Sequence, residues 1–207
     1  MDEVGTEFLI QRCRDGSLEA FEQLVALYEN KIFGLCLHLT GNPVDAQDLA
    51  QEAFIRLYKA LPGFRGQSAF STWFYRIVVN LWSNETRRRA RQRTVSLDAP
   101  VQTSDGEIQR TLEDEGVTDP EEALEEKEER EMVWQAINEL SDEHRSVLVL
   151  REMYDMPYME IAKALGCSEG TVKSRLNRAR KNLHDLLAGK INEHAAPGDK
   201  KRRKARI

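Results

Sequence analysis

Apolar positions recur every three to four residues through the first ninety positions, which is the period of amphipathic helix. Leu18, Phe21, Leu24, Val25, Tyr28, Ile32, Leu35 and Leu39 make one stripe, expected to face a core. Gly41-Asn42-Pro43 ends that helix, since glycine and proline punctuate helical runs. A second stripe follows at Leu49, Ala50, Ala53, Phe54, Leu57 and Leu61, and Pro62-Gly63 and Gly66 then mark a loop. A third helical run opens near Ser68–Ser71, either serine being a competent N-cap. It continues through Trp82 into RRRARQR at residues 87–93, with Phe74, Ile77, Val78 and Leu81 on one core-facing arc.

Residues 94–119 lose the apolar face. They hold Pro100, Gly106, Gly116 and many acids, and read as a flexible, charge-extended linker. Helical pattern resumes at Pro120, well suited to a first turn. Residues 121–140 form one helix ending with Val133, Ile137 and Leu140. Ser141 caps a second, with Asp142 and Glu143 in its first turn. Val147, Leu148 and Leu150 are its core face, Pro157 interrupts, and two short helices follow. Ala195 to Ile207 is a low-complexity basic stretch. No segment sustains two-residue alternation. The expected fold is all-α: two small helical domains, residues 1–93 and 121–190, joined by a flexible acidic linker at 94–120 and followed by a disordered basic tail at 191–207. The length of 207 residues accommodates two such domains, each with a modest core.

Charge changes the picture more than composition does. The formal net charge is −5, which by itself argues against nucleic acid. The distribution argues for it: residues 87–93 carry five arginines and no acid, and residues 168–183 carry five bases and one acid. Phosphate attraction depends on the face presented, not on the total. Residues 94–131 hold 14 acids against three bases. No apolar run reaches transmembrane length, so direct membrane insertion is not expected, and the acidic start lacks a secretory apolar core. Cys13, Cys36 and Cys167 are odd in number and far apart, and read as core or turn residues of a reduced, cytoplasmic protein. His38, His144, His184 and His194 have no ligand spacing. Neither metal nor cofactor is expected.

The segment YMEIAKALGCSEGTVKSRLNRARKNL, residues 158–183, is the most specific local signal. Ile161, Ala162 and Leu165 give a short amphipathic helix, Gly166 the turn, and Ser168 an N-cap for the next helix. Val172, Leu176, Ala179 and Leu183 then fall in one narrow arc, with Gly170, Ser174, Asn177, Arg178 and Lys181 opposite and Lys173 on the flank. Small and hydrogen-bonding groups near the helix start, with arginines behind, suit major-groove reading. Arg178 can grip a guanine edge or a phosphate, and Arg151 is a phosphate candidate. The alternative is a helical hairpin with a solvated basic face.

Two further faces carry candidate chemistry. On the helix from Ser71 to Arg93, one arc holds Trp73, Arg76, Asn80, Ser83, Asn84 and Arg87, with Phe64, Arg65 and Phe70 in or beside the preceding loop. Aromatics interleaved with amides and cations serve unstacked bases; equally, Trp73 and Phe70 can simply complete a core, and the arginine run can be a solvated helix end favoured by the dipole. On the second helix the polar arc holds Asp48, Gln51, Glu52, Ile55 and Lys59. An isoleucine among polar groups suits a protein contact, although one exposed isoleucine is ordinary. No phosphate loop, HExxH pair or nucleophile elbow is present, and the acid pairs Glu121-Glu122 and Glu125-Glu126 lack a histidine partner, so an enzyme is not expected.

Together, DAQDLAQEAFIRLYKALPGFRGQSAFSTWFYRIVVN at residues 45–80 and MPYMEIAKALGCSEGTVKSRLNRARKNL at residues 156–183 resemble the extracytoplasmic-function (ECF) sigma factors of bacterial RNA polymerase, most of all the envelope-stress type. The resemblance implies a sigma-two domain whose DLAQEAFIRLYKAL helix docks on the clamp helices of the polymerase β′ subunit through Asp48, Gln51, Glu52, Ile55 and Lys59. It implies melting of the promoter −10 element, with capture of a flipped base, by the PGFRGQSAF loop and the helix after it. The residues concerned are Phe64, Arg65, Ser68, Phe70, Trp73, Arg76, Asn80, Asn84 and Arg87. A sigma-four domain would read the −35 element through Arg151, Ser168, Gly170, Thr171, Lys173, Ser174, Asn177, Arg178 and Lys181, and touch the β flap. An anti-sigma factor is the implied regulator. His38 replaces a lysine of some relatives and Asn177 an aromatic of the envelope-stress type, which bears on promoter sequence. The rival is an ordinary helix-turn-helix regulator that binds duplex DNA without polymerase.

Overall fold

The computed structural model describes residues 3–95 and 120–194. Most of the linker expected at 94–120, and the basic tail from residue 195, lie outside the described residues. Every regular element among the described residues is helical. None of these helices is long and apolar enough to cross a membrane.

Helix α1 (Glu3–Arg14) precedes the first stripe and was not anticipated as a separate element. Gly16, with φ of 87°, turns the chain. The Ser17 hydroxyl then accepts from the Ala20 amide at 3.3 Å and caps α2 (Leu18–Thr40). The tripeptide Gly41-Asn42-Pro43 closes one helix and opens the next. Gly41 sits at φ 73°, a left-handed conformation that costs glycine little, and its amide donates to the Leu37 carbonyl at 2.8 Å. The Asn42 side chain accepts from the Asp45 amide at 3.0 Å, and Pro43 takes the first turn of α3 (Pro43–Ala60). Three of the four buried positions on α3 are alanines (Ala46, Ala50, Ala53), the fourth being Leu57. Small side chains let its axis lie close to the helices it packs on, α2 and α4.

A 3-10 turn (Leu61–Gly63) leads into the loop before α4 (Phe70–Val95). The first helical bond of α4 runs from the Trp73 amide to the Ala69 carbonyl. Ser71 therefore lies inside the first turn and is not the cap. The buried arc of α4 also differs from the expected one. Phe74 and Val78 are fully buried, but Ile77 and Leu81 are only half-buried, while Tyr75, Val79 and Trp82 are buried. The reason is a second covering element on that flank, α7.

The second half of the chain contains α5 (Pro120–Glu139), α6 (Asp142–Leu148), a π-helical turn (Val149–Met153), α7 (Tyr158–Leu165) and α8 (Glu169–His194). The Ser141 carbonyl accepts the first amides of α6, from His144 and Arg145. Gly166, at φ 65°, ends α7 with its amide on the Ala162 carbonyl, as the turn expectation required. The last two helices are not both short, because α8 runs for 26 residues.

The chain divides into two compact units. Among the described residues, one comprises α1–α4 together with residues 149–169, and the other comprises α5, α6 and α8 from residue 170. The core of the first is built on Leu24, Ile32, Leu35, Leu39, Leu57, Phe74 and Val78, all essentially without solvent contact. In the second, Ala136, Ile137, Leu140, Val147, Val172, Leu176 and Ala179 are buried.

Candidate nucleic-acid interface

In the first unit, the loop before α4 and the start of that helix collect aromatic rings. Phe64 packs edge-on to Phe70 at 5.6 Å and tilted against Trp73 at 4.8 Å, and Phe70 meets Tyr28 edge-on at 5.2 Å. Such pairs add about 0.5–1.5 kcal/mol each beyond area burial. Phe64 and Phe70 keep only 9% and 7% of their surface exposed, while Trp73 is half-buried. The two phenylalanines thus form a floor, and Trp73 is the ring of the three that keeps more of its surface in solvent. Arg65, Asn80, Asn84 and Arg87 are exposed, and Ser68 is half-buried.

Arg76 is placed differently from its expected neighbours. Its Nη1 donates to Oε2 of Glu160 on α7 at 3.0 Å. Glu160 is buried and is also paired with Lys163 at 3.0 Å. Burial works to raise the Glu160 carboxyl, but the hydrogen bonds from Lys163 and Arg76 outweigh it and hold it below the usual carboxylate range. The arginine run is likewise not uniform. Arg89 grips both oxygens of Asp45, at 2.9 and 3.2 Å, and reaches Glu85 at 3.1 Å. The Arg89 hydrogen bond is the largest influence on the Asp45 carboxyl and lowers it. Arg88 pairs with Glu85 as well. Part of RRRARQR therefore pins α4 to the start of α3, leaving Arg87 and Arg91 as exposed cations of that run.

His38 is half-buried, with Nδ1 3.4 Å from the Tyr154 hydroxyl. Burial pushes it down to about 4, so it is neutral at neutral pH. Cys36 is buried and its thiol is pushed up to about 12 by burial, an inert core thiol.

On α8 the buried row is Val172, Leu176 and Ala179, with Leu183 half-buried. Gly170, Lys173, Ser174, Asn177, Arg178 and Lys181 are exposed, and Thr171 is half-buried. The Ser174 hydroxyl donates to the Thr171 carbonyl at 3.0 Å. Ser168 stands exposed immediately before the helix. Arg151 lies instead on the π-helical turn. It donates to the Met156 carbonyl at 3.1 Å, pairs with Asp155 at 3.0 Å and lies 5.3 Å from the Tyr158 ring centre. Its contacts brace the loop before α7, a role sequence reasoning did not suggest.

Asp48, Gln51, Glu52, Ile55 and Lys59 form an exposed row on α3, with Glu52 paired to Arg56 at 3.0 Å. Beside this row runs a shallow apolar groove of about 440 Å³, walled by Leu18, Phe21, Val25, Phe54, Ile55 and Tyr58. Leu18 and Tyr58 are 61% and 55% exposed. Leu18, Phe21 and Val25 were expected in the core. They project from the start of α2 beside α3, where that stripe is incompletely covered, and exposure is the signal that periodicity alone lacks. Among the described residues, no group of three or more His, Cys, Asp or Glu side chains is placed to hold a metal ion.

Comparison with known proteins accounts for the pairing of these features on one chain. Residues 24–92 match the sigma-70 region 2 family and residues 130–183 match sigma-70, region 4. The RNA polymerase sigma-H factor of Pseudomonas aeruginosa is 38% identical over 188 residues, covering 89% of this chain and 95% of that protein. The ECF RNA polymerase sigma factor SigW of Bacillus subtilis is 36% identical, covering 86% and 94%. The ECF sigma-E factor of Escherichia coli is 34% identical, covering 90% and 96%. Among solved structures, the sigma factor RpoE in complex with the anti-sigma factor NepR from Bartonella quintana is similar in fold. It has a TM-score of 0.63 and 24% identity, over 83% of this chain and 98% of that one. CnrH in complex with the cytosolic domain of CnrY has a TM-score of 0.58 at 24% identity, over 89% and 98%. An exposed reading face on α8, an aromatic and basic helix start on α4, and near full-length identity to these relatives together establish that this chain belongs to the ECF sigma factors, which direct RNA polymerase in promoter recognition.

Proposed function

We propose that this sigma factor opens promoters by dividing the work among three faces. The exposed row on α3, with the apolar groove beside it, docks on the clamp helices of the polymerase β′ subunit. An apolar strip with a polar rim is what a specific protein contact requires, and Ile55 and Tyr58 would be its anchors. The start of α4 and its preceding loop take the melted −10 strand. Trp73 offers a stacking surface worth about 1–3 kcal/mol per base, over the floor of Phe64 and Phe70. Asn80 offers amide groups to a base edge, and Arg65, Asn84 and Arg87 meet phosphates. Extruding a base costs unstacking energy, which capture of that base returns. The face of α8 bearing Lys173, Asn177, Arg178 and Lys181 reads the −35 duplex in the major groove.

The cleft of about 560 Å³ lined by Leu140, Ser141, His144 and Leu186 is a suitable seat for the β flap. Both similar sigma-factor structures contain an anti-sigma factor, and we expect such a partner here. The protein works in the cytoplasm, where polymerase is. The boundaries we assign are residues 1–93 for the polymerase and −10 domain and 121–190 for the −35 domain.

The observation that carries this reading is the arrangement on α4, where a half-exposed tryptophan over a phenylalanine floor is followed by exposed amides and cations. Run-off transcription with core polymerase on genomic promoter fragments tests it. Wild type should create new start sites sharing two upstream elements at fixed spacing, and Asn80→Ala should lose opening while keeping polymerase binding. Duplex binding without any polymerase-dependent transcript would favour an ordinary helix-turn-helix regulator.

A further inference from the structure

Helix α4 and helix α7 belong to one compact unit and touch along their lengths. The contact is chemically specific. Buried Glu160 of α7 takes the Arg76 guanidinium at 3.0 Å. Just before α7, the Tyr154 ring packs edge-on to Tyr75 at 5.0 Å, and its hydroxyl donates to the Lys31 carbonyl at 3.3 Å. On the same flank of α4, Val79 has no solvent contact and Trp82 keeps 8% of its surface exposed.

This arrangement conflicts with promoter engagement. By their names, the two promoter elements lie about 25 base pairs apart, or about 85 Å at about 3.4 Å per pair along the duplex. A helix on the −10 element and the helix that precedes the −35 reader cannot then stand 3.0 Å apart at Arg76 and Glu160. The closed contact also withholds Arg76 from phosphate, because Glu160 already occupies it.

We propose that this is a self-closed state, in which α7 caps the flank of α4 and the Glu160–Arg76 pair and Tyr154 form its latch, so that the sigma factor is held off DNA by its own chain until polymerase draws the two helices apart. The proposal rests on α4 being the −10 face. Its energetic logic is a population shift. Binding to single-stranded DNA is weakened by the fraction of molecules that are closed, and loosening the latch returns that affinity without adding any contact. High salt should act in the same direction on the ion pair, although it also weakens phosphate binding. Substitution at fixed salt is therefore the cleaner test.

Two full-length variants serve: Glu160→Gln, which removes the charge and keeps the shape, and Tyr154→Phe, which removes one hydroxyl. Each is checked for unchanged helix content, then measured by small-angle scattering and by binding to a short fluorescent single-stranded DNA of random sequence, without polymerase. The expected result is a larger radius of gyration and an affinity gain of about tenfold for Glu160→Gln if the open fraction rises from about a tenth to most molecules. A smaller gain is expected for Tyr154→Phe. Unchanged dimensions in both variants would overturn the latch whatever the DNA result. Expansion with no gain in affinity would overturn its inhibitory role. In that case Asn80→Ala in the expanded background separates the causes: if it too leaves DNA binding unaltered, the assignment of α4 to the −10 strand fails as well.

Discussion

Phe74 has no solvent contact and packs against Phe54, Tyr28 and Phe70. Phe74→Ala should destabilise the first unit by about 3–5 kcal/mol, the range for emptying a buried aromatic position, read as a lower urea midpoint. His38 makes a pH prediction. Its folded value is depressed from 6.5 to about 4 by burial, so the unfolded chain takes up a proton that the folded chain resists. The stability this neutral ring contributes is complete above about 6.5 and is lost as pH falls from there towards about 4. His38→Gln should flatten the fall of the urea midpoint across that window. Asp45 behaves alike at lower pH, losing its contribution only as pH drops through its depressed carboxyl value. Its partner Arg89 is 54% exposed, so the pair is worth no more than about 0.2–1 kcal/mol. Arg178 is a specificity residue rather than a stability residue. Arg178→Ala should leave the melting temperature unchanged and cost about 1–3 kcal/mol of discrimination at one −35 base pair if it reads a guanine edge, measured by transcription from single-base promoter variants.

At the scale of elements, much of the layout is legible before any coordinates. Glycine, asparagine, serine and proline at helix ends have only a few good conformations, so Gly41-Asn42-Pro43, Pro120 and Gly166 mark their boundaries directly. Gly166→Ala should cost about 1–2 kcal/mol, because φ of 65° crowds a Cβ. The loss should appear as lower thermal stability of the chain. The faces are less legible than the ends. Periodicity places Ile77 and Leu81 of α4 in the core, yet Tyr75, Val79 and Trp82 are the more buried. One-dimensional pattern counts apolar residues, but it cannot tell how many elements will cover a helix. Leu18, Phe21 and Val25 show the converse. They continue an apolar stripe and yet wall an open groove, since nothing in the spacing of α2 says where its cover stops. Arg76 and Arg151 show the same limit for charge: both look like phosphate ligands in sequence, and only a distant carboxylate or carbonyl reveals their structural partners.

For the whole molecule, the chain reads as an acidic protein with two basic windows, and the arrangement of those windows carries the function. The tail at 195–207, which lies outside the described residues, adds positive charge to the end of the chain. Truncation at Pro197 should leave promoter choice unchanged, tested by mapping transcript starts with the shortened protein. A shift in preferred promoters would give the tail a reading role instead of a solubilising one.

The Gly41-Asn42-Pro43 joint has an evolutionary corollary. Since one residue ends α2, the next caps α3 and the third begins it, the joint has no slack. Inserting or deleting a residue just inside α3 would turn everything beyond it by about 100° relative to the cap. The row from Asp48 to Lys59 would then rotate inward, and the alanines that seat α3 would rotate out to water. Sequence drift along this helix should therefore proceed by substitution alone. A library of single-codon insertions scanned across residues 41–60 should return no survivors, while the same scan at residues 96–119 should be tolerant.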